Sequence, residues 1–231
     1  MIDEKDESRL PPEGFRQRGP APSGTRLLLI RHGECVANAE GLAGGPIGDG
    51  GLTVLGRRQA TALAHRLEIT NELSKASAFY TSTLPRAIQT GEIVFPAINP
   101  DLVAVRDESL CELSVGEADG LTWAEVQARY QLPNWDKDPT KRNVPGGESL
   151  IGFFERCVDA MERIVLGHPE QLVVLVVHGG FIEQAMKYYQ GLDGGERLRP
   201  RIENCSMTEI EFKDGRKRLL RYNDLSPIGV E

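Results

Sequence analysis

The chain has 231 residues, 40% hydrophobic and 26% charged, which excludes a disordered or collagen-like polymer. That length supports a core that needs neither disulfide nor metal. The 34 acidic and 27 basic residues give a net charge of −7, which argues against a nucleic-acid partner but not against an anionic substrate in a locally positive pocket.

Residues 1–24 are polar, contain several Pro and Gly, and lack the apolar stretch of a signal peptide, so they read as a flexible N-terminal arm. No run of about 18 apolar residues occurs, so neither a membrane span nor a membrane partner is expected. Cys35, Cys111, Cys157 and Cys205 are dispersed, without metal-ligand or disulfide spacing, and read as reduced thiols of a cytoplasmic protein. Residues 25–231 show no internal repeat and no change of composition, and are expected to form one domain.

Leu27 to Ile30 is a short apolar run, as in a strand buried on both faces. A glycine-rich stretch, Gly41 to Gly51, precedes Thr53, which can cap a helix whose face carries Leu55, Ala62, Leu63 and Leu67. Phe79 to Thr81 is a second strand. Pro85 suits the first turn of a helix with Leu84, Ile88 and Gly91 on one side. Leu102 to Val105 is a third strand candidate, and Thr122 to Glu125 has the form of a capping box. Gln131 to Gly147 holds three prolines and reads as a long loop. Ser149 then caps an amphipathic helix marked by Leu150, Phe153, Phe154, Cys157, Met161 and Ile164, ending at Gly167. Leu172 to Val177, the most apolar run, predicts a central parallel strand, followed by a helix over 181–189 closed by Gly191. Thr208, Ile210 and Phe212 alternate with acidic residues, and Asp214-Gly215 predicts a hairpin turn. The alternation of strands and helices implies an α/β three-layer sandwich with a mostly parallel sheet.

Three polar signatures each fall between a strand and a helix: Arg31-His32-Gly33-Glu34, Thr81-Ser82-Thr83-Leu84-Pro85-Arg86 and His178-Gly179-Gly180. Carboxyl ends of parallel strands meet at one sheet edge, so these segments can converge. Two guanidinium forks, imidazoles and helix N-termini suit a phosphate dianion. His65 and His168 read as structural.

LLLIRHGE resembles the opening signature of the histidine phosphatase superfamily, in its phosphoglycerate-mutase-like branch. Asn38, Leu52-Thr53, Gly56, Gln59-Ala60, TSTLPRAIQT, Glu112, PGGES at 145–149 and VVHGG at 176–180 follow in family order, covering about Arg26 to Phe212. The resemblance implies that His32 is phosphorylated, and that Arg31, Arg86 and His178 bind the phosphoryl oxygens with Asn38 and Gly179 nearby. It implies Glu112 as proton donor to the leaving group, with Glu108 and Glu117 as close alternatives. No metal or other cofactor is implied. The chemistry is consistent, because a neutral imidazole is nucleophilic and clustered cations stabilise phosphoryl transfer.

The sequence departs from the family pattern at Cys35, where Ser or Thr is common, and at Ala118-Asp119, where Trp-Glu is frequent. The function expected is a metal-independent phosphomonoesterase acting on a phosphorylated small molecule. Alternatives are a phosphoglycerate mutase and a non-catalytic phosphate-binding protein. Mutases of the family carry an extended basic insertion after the glutamate, whereas Leu113-Ser114-Val115-Gly116 follows Glu112 and the terminal NDLSPIGVE is not basic. The loop from Gln131 to Val144 is expected to help select the substrate. Within it, Lys137, Lys141 and Arg142 read as solvated rather than as lining the mouth.

Overall fold

The computed structural model describes residues 24–142 and 144–225. The expected arm therefore lies outside the described residues except for Gly24, as does the end of the chain from residue 226. Gly24 is buried rather than part of an arm: a Cβ there would come 2.3 Å from the Phe212 carbonyl oxygen.

Six strands form one sheet in the order β3-β2-β4-β1-β5-β6. Strands β1 (Thr25–Arg31), β2 (Ala76–Thr81), β3 (Val105–Arg106) and β4 (Leu172–Val177) run parallel, while β5 (Met207–Lys213) and β6 (Arg216–Asp224) form an antiparallel hairpin beside β1. All six residues of β4 are buried, as a central strand covered on both faces requires. The pleat sends alternate side chains to opposite faces. Leu27, Leu29, Val173, Leu175 and Val177 pack with the apolar stripe of α5 (Leu150–Gly167) and with Phe181, Ile182 and Ala185 of α6 (Gly179–Gln190). Leu28, Ile30, Val174 and Val176 pack with α2 (Val54–Thr70) and α3 (Pro85–Val94) on the other side. A third cluster of Ala43, Val115, Ala118, Val126 and Val144 joins α4 (Trp123–Arg129) to the loops above the sheet edge. A short helix, α1 (Val36–Glu40), follows β1.

The caps follow the sequence. Thr53 and Ser149 each accept a backbone N–H three residues on, and Thr122 with Glu125 forms the reciprocal capping box. Gly191 ends α6 at φ 73°, and Asp214 and Gly215 turn the hairpin at φ 50° and 69°.

Three expectations need correction. The buried face of α2 is Gly56, Ala60, Leu63, Ala64 and Leu67, with Leu55 and Ala62 exposed. Small residues there allow close approach, since a Cβ on Gly56 would come 1.9 Å from the Glu34 carbonyl oxygen. The third strand is only two residues long, because Leu102 and Ala104 turn inward to pack on the α2/α3 core and Val103 is left in solvent. Helix α6 begins at Gly179, two residues earlier than expected, with His178 as its N-cap.

Candidate active site

β1, β2 and β4 point the same way, so the residues that follow them gather at one edge. His32 follows β1, and its backbone N–H extends the ladder to the Val177 carbonyl at 3.0 Å. Its ring is buried, with Nδ1 2.6 Å from the Gly33 carbonyl. A carbonyl can only accept, so Nδ1 carries the proton and Nε2 keeps its lone pair. Burial first, then the Arg86 charge, pushes the imidazole well below its usual value, so it is neutral near pH 7. Asn204 steadies the same residue by donating to the His32 carbonyl at 2.9 Å.

Arg86 enters on the first turn of α3, where Pro85 sets the backbone. Its guanidinium is buried and paired with Asp49, Nη1 to Oδ2 at 2.5 Å, and Nη1 also donates to the Gly44 carbonyl at 3.0 Å. Asp49 accepts the Arg86 backbone N–H as well, at 3.0 Å. Arg86 Nε donates to His178 Nδ1 at 3.2 Å, so a neutral His178 bears its proton on Nε2, which donates to Ser82 Oγ at 2.6 Å. The His32 and His178 ring centroids lie 5.1 Å apart. Burial and the neighbouring Arg86 charge push His178 well below its usual value too.

Arg31 is fixed by Nη1 to the Ile202 carbonyl at 2.5 Å, while its Nε–H is buried without a protein acceptor among the described residues. Burial lowers this guanidinium from its usual value, opposed chiefly by the Glu112 carboxylate.

Glu112 receives two backbone N–H groups, Leu113 at 3.0 Å on Oε1 and Gly180, in the first turn of α6, at 2.9 Å on Oε2. The segment carrying it is gripped by Arg156. Arg156 donates to the carbonyls of Ser109 and Cys111 at 2.9 Å each and of Glu112 at 3.2 Å. Glu148 completes the clamp with two 2.7 Å bonds to Arg156 and by accepting the Ser114 N–H at 2.8 Å. Burial would raise the Glu148 carboxyl, but Arg156 and Ser114 outweigh it and hold it below its usual range.

A cavity of about 460 Å³ opens here, lined among others by Arg31, His32, Asn38, Arg86, Glu112 and Gly179. His178 is brought to the same cluster but does not line the cavity; it stands behind Arg86 with both nitrogens engaged. Of the three glutamates considered, Glu112 alone lines this cavity: Glu108 faces a neighbouring cleft and Glu117 is exposed. Lys137, Lys141 and Arg142 are exposed and do not line it, whereas Trp135 and Arg197 do, with the Arg197 guanidinium 6.0 Å from the Trp135 ring.

The sequence profile of the histidine phosphatase superfamily (branch 1) matches residues 27–225. The chain belongs to that superfamily. It is 32% identical to phosphoglycerate mutase-like protein 4 of Arabidopsis thaliana, over 87% of this chain and 86% of that one. It is 30% identical to a metal-independent phosphoserine phosphatase of the same plant, over 88% and 83%. A solved structure of a mycobacterial glucosyl-3-phosphoglycerate phosphatase in complex with VO3 superposes with a TM-score of 0.71 at 28% identity, covering 86% of this chain and 98% of that one. The phosphoglycerate-mutase-like sandwich is thus the fold of this superfamily member.

The departures from the superfamily pattern have local explanations. Cys35 is fully buried, and burial raises its thiol, so it supplies neither hydroxyl nor thiolate. Ala118 belongs to the third cluster. Asp119 accepts the N–H groups of Gly45, Ile47 and Gly48 at 2.8–2.9 Å and so pins the glycine-rich loop. Sequence reasoning missed Asp49, Arg156, Arg197 and Asn204. Asp49 left a signal: it is the only charged residue between Gly41 and Gly51.

Proposed function

We infer that the protein is a phosphomonoesterase that transfers the phosphoryl group of a small phosphorylated molecule to His32 and then to water. The observation that carries this reading is the His32 tautomer: a neutral ring with its Nδ1 proton held by Gly33 leaves Nε2 as a nucleophile beside two arginines. In-line attack by Nε2 on phosphorus forms the N–P bond as the ester P–O bond breaks, and the charge that spreads over the three phosphoryl oxygens faces Arg31 and Arg86. The unpaired Arg31 Nε–H supplies a donor for one of these oxygens. Arg86 retains Nη2 for another, since Nε and Nη1 are engaged.

His178 acts by orienting Arg86, and Asp49 does the same from the opposite side. Asn38 and the first turn of α6 at Gly179 add polar contacts at the cavity wall. Glu112 protonates the leaving oxygen and afterwards takes a proton from the attacking water. No helix among the described residues is long and apolar enough to cross a membrane. The dispersed cysteines, free among the described residues, support a reducing cytoplasm as its setting, and one catalytic domain over 25–231 is the organisation we favour.

The test is release of inorganic phosphate from an aryl phosphate with EDTA present. It should proceed in the wild-type chain and vanish in His32→Ala. Interconversion of 3- and 2-phosphoglycerate faster than their hydrolysis would assign the mutase activity instead. Binding of vanadate with no turnover of any ester would leave only a phosphate-binding protein.

A further inference from the structure

A second cavity, of about 200 Å³, adjoins the first and differs from it in character. Its wall is Leu113, Val115, Ala118, Trp123, Val126, Leu132, Pro133, Trp135 and Val144, with no charged side chain and no hydroxyl. Leu113, Val115, Trp123 and Trp135 line both cavities, so the two share a wall. An engineered apolar cavity of about 150 Å³ is large enough to admit benzene, so this one can take an aromatic ring or a short branched chain.

Its position relative to the chemistry is set by the chain itself. In the mechanism proposed above Glu112 protonates the leaving oxygen, and the next residue, Leu113, is already part of the shared wall. The 112–118 segment thus carries the proton donor and then three residues of the apolar cavity, Leu113, Val115 and Ala118. The 132–135 loop adds Leu132, Pro133 and Trp135, fastened by the Trp135 Nε1–H to the Lys141 carbonyl at 2.7 Å. Trp123 and Leu132 remain 47% and 40% exposed, an unusual state for large apolar side chains that face one small pocket.

We propose that this cavity is the leaving-group subsite, and that the substrate is a phosphomonoester whose alcohol carries an apolar ring or chain. The proposal rests on the phosphatase reading and adds to it the substrate class. The phosphoryl group sits at His32, the ester oxygen faces Glu112, and the apolar part passes the shared wall, which carries both tryptophans, into the apolar cavity. Burial of each methylene is worth about fourfold in affinity, so selectivity comes from this end of the molecule, not from the phosphate.

The chain has two tryptophans, and both stand on the wall that the two cavities share, so intrinsic emission reports an apolar group that reaches that wall. The experiment titrates the full chain with alkyl phosphonates from methyl to butyl, while turnover of the matching alkyl phosphates and of phosphoserine is measured in parallel. Phosphonates are not hydrolysed, so the binding arm is independent of catalysis. Affinity should rise by up to about fourfold per methylene, with a larger emission change for butylphosphonate than for methylphosphonate. KM for the phosphates should fall in step. Leu132→Glu, a substitution at a half-exposed position outside the catalytic cavity, should flatten the series while methyl phosphate turnover is retained. Equal affinity and equal emission for the methyl and butyl compounds would overturn the proposal. A length dependence undiminished in Leu132→Glu, or a preference for phosphoserine over every alkyl ester, would do so too. Absence of turnover with every ester would instead count against the phosphatase reading.

Discussion

Gly180→Ala separates the proposed proton donor, Glu112, from the rest of the site with one methyl group. A Cβ at this position would lie 2.1 Å from Glu112 Oε1 and 2.9 Å from its Cδ. The obstacle is the far end of a flexible side chain, so the carboxyl moves and the backbone does not. It must retreat by more than about 1 Å to reach van der Waals distance, which also breaks the 2.9 Å bond it accepts from the Gly180 N–H. A 1 Å misplacement of a reacting group costs about 100-fold in rate. The helix itself gains from alanine, by up to about 0.5–1 kcal/mol. The expected result is a protein at least as stable as the parent in urea, with kcat for an alkyl phosphate lowered about 100-fold. The kcat/KM for 4-nitrophenyl phosphate, which reports only the phosphorylation step and whose leaving group needs little help from an acid, should change by less than about fivefold, against a drop of about 100-fold for the alkyl ester. Equal losses on both esters would mean that the phosphate cradle, not proton donation, was disturbed, and no loss on either would remove Glu112 from the mechanism.

Arg156→Met removes the clamp on three carbonyls around Glu112 and should show the same ester dependence, together with a stability loss of about 3 kcal/mol by urea denaturation; Arg156→Lys, which cannot fork, should not restore the alkyl ester rate. Asp49→Ala frees the Arg86 guanidinium and backbone N–H, and should raise KM and lower kcat for both ester types equally, by about 100-fold in kcat/KM. Both His32 and His178 are buried with depressed values, so below pH ~6.5 the unfolded chain binds protons that the native state refuses. Native stability should therefore rise with pH through this region and decline as pH falls below ~6.5, with a slope approaching 2.7 kcal/mol per pH unit if both rings stay neutral. Urea midpoints between pH 7 and 5 would measure it, and a flat profile in the wild type, or one unchanged by His178→Ala, would refute the buried neutral pair.

The parts of the site that sequence exposes are those tied to strand ends. Arg31, His32, Arg86 and His178 each sit within a few residues of an apolar run, and parallel strands oblige such residues to meet. The orienting role we propose for His178 was not legible in the sequence, which suggested contact with the phosphoryl oxygens. Its two nitrogens are taken by Arg86 and Ser82, a pairing set by side-chain distances that no spacing encodes. Glu112 and Asp119 lie in segments without periodicity, so their partners, Gly180 and the N–H groups of the glycine-rich loop, emerge only from tertiary packing. Helix α2 misled for a related reason. Its core face is built from Gly and Ala as much as Leu, because it must press against the loop after β1, so Leu63 and Leu67 share it with Gly56, Ala60 and Ala64 while Leu55 and Ala62 face solvent. The short third strand shows the opposite case, in which apolar residues near a sheet edge are drawn to the core beneath instead of to the ladder.

Whether residue 32 itself carries the phosphoryl group is the question on which the mechanism stands. Rapid acid-free quenching of the wild-type chain during turnover of a radiolabelled ester, followed by peptide mapping under alkaline conditions, answers it directly. The account predicts a transient label, stable to base and labile to acid, on the peptide that contains His32, absent from His32→Ala and longer-lived when Glu112 is replaced by Gln. Steady turnover with no labelled peptide, or a label on any other side chain, would contradict it.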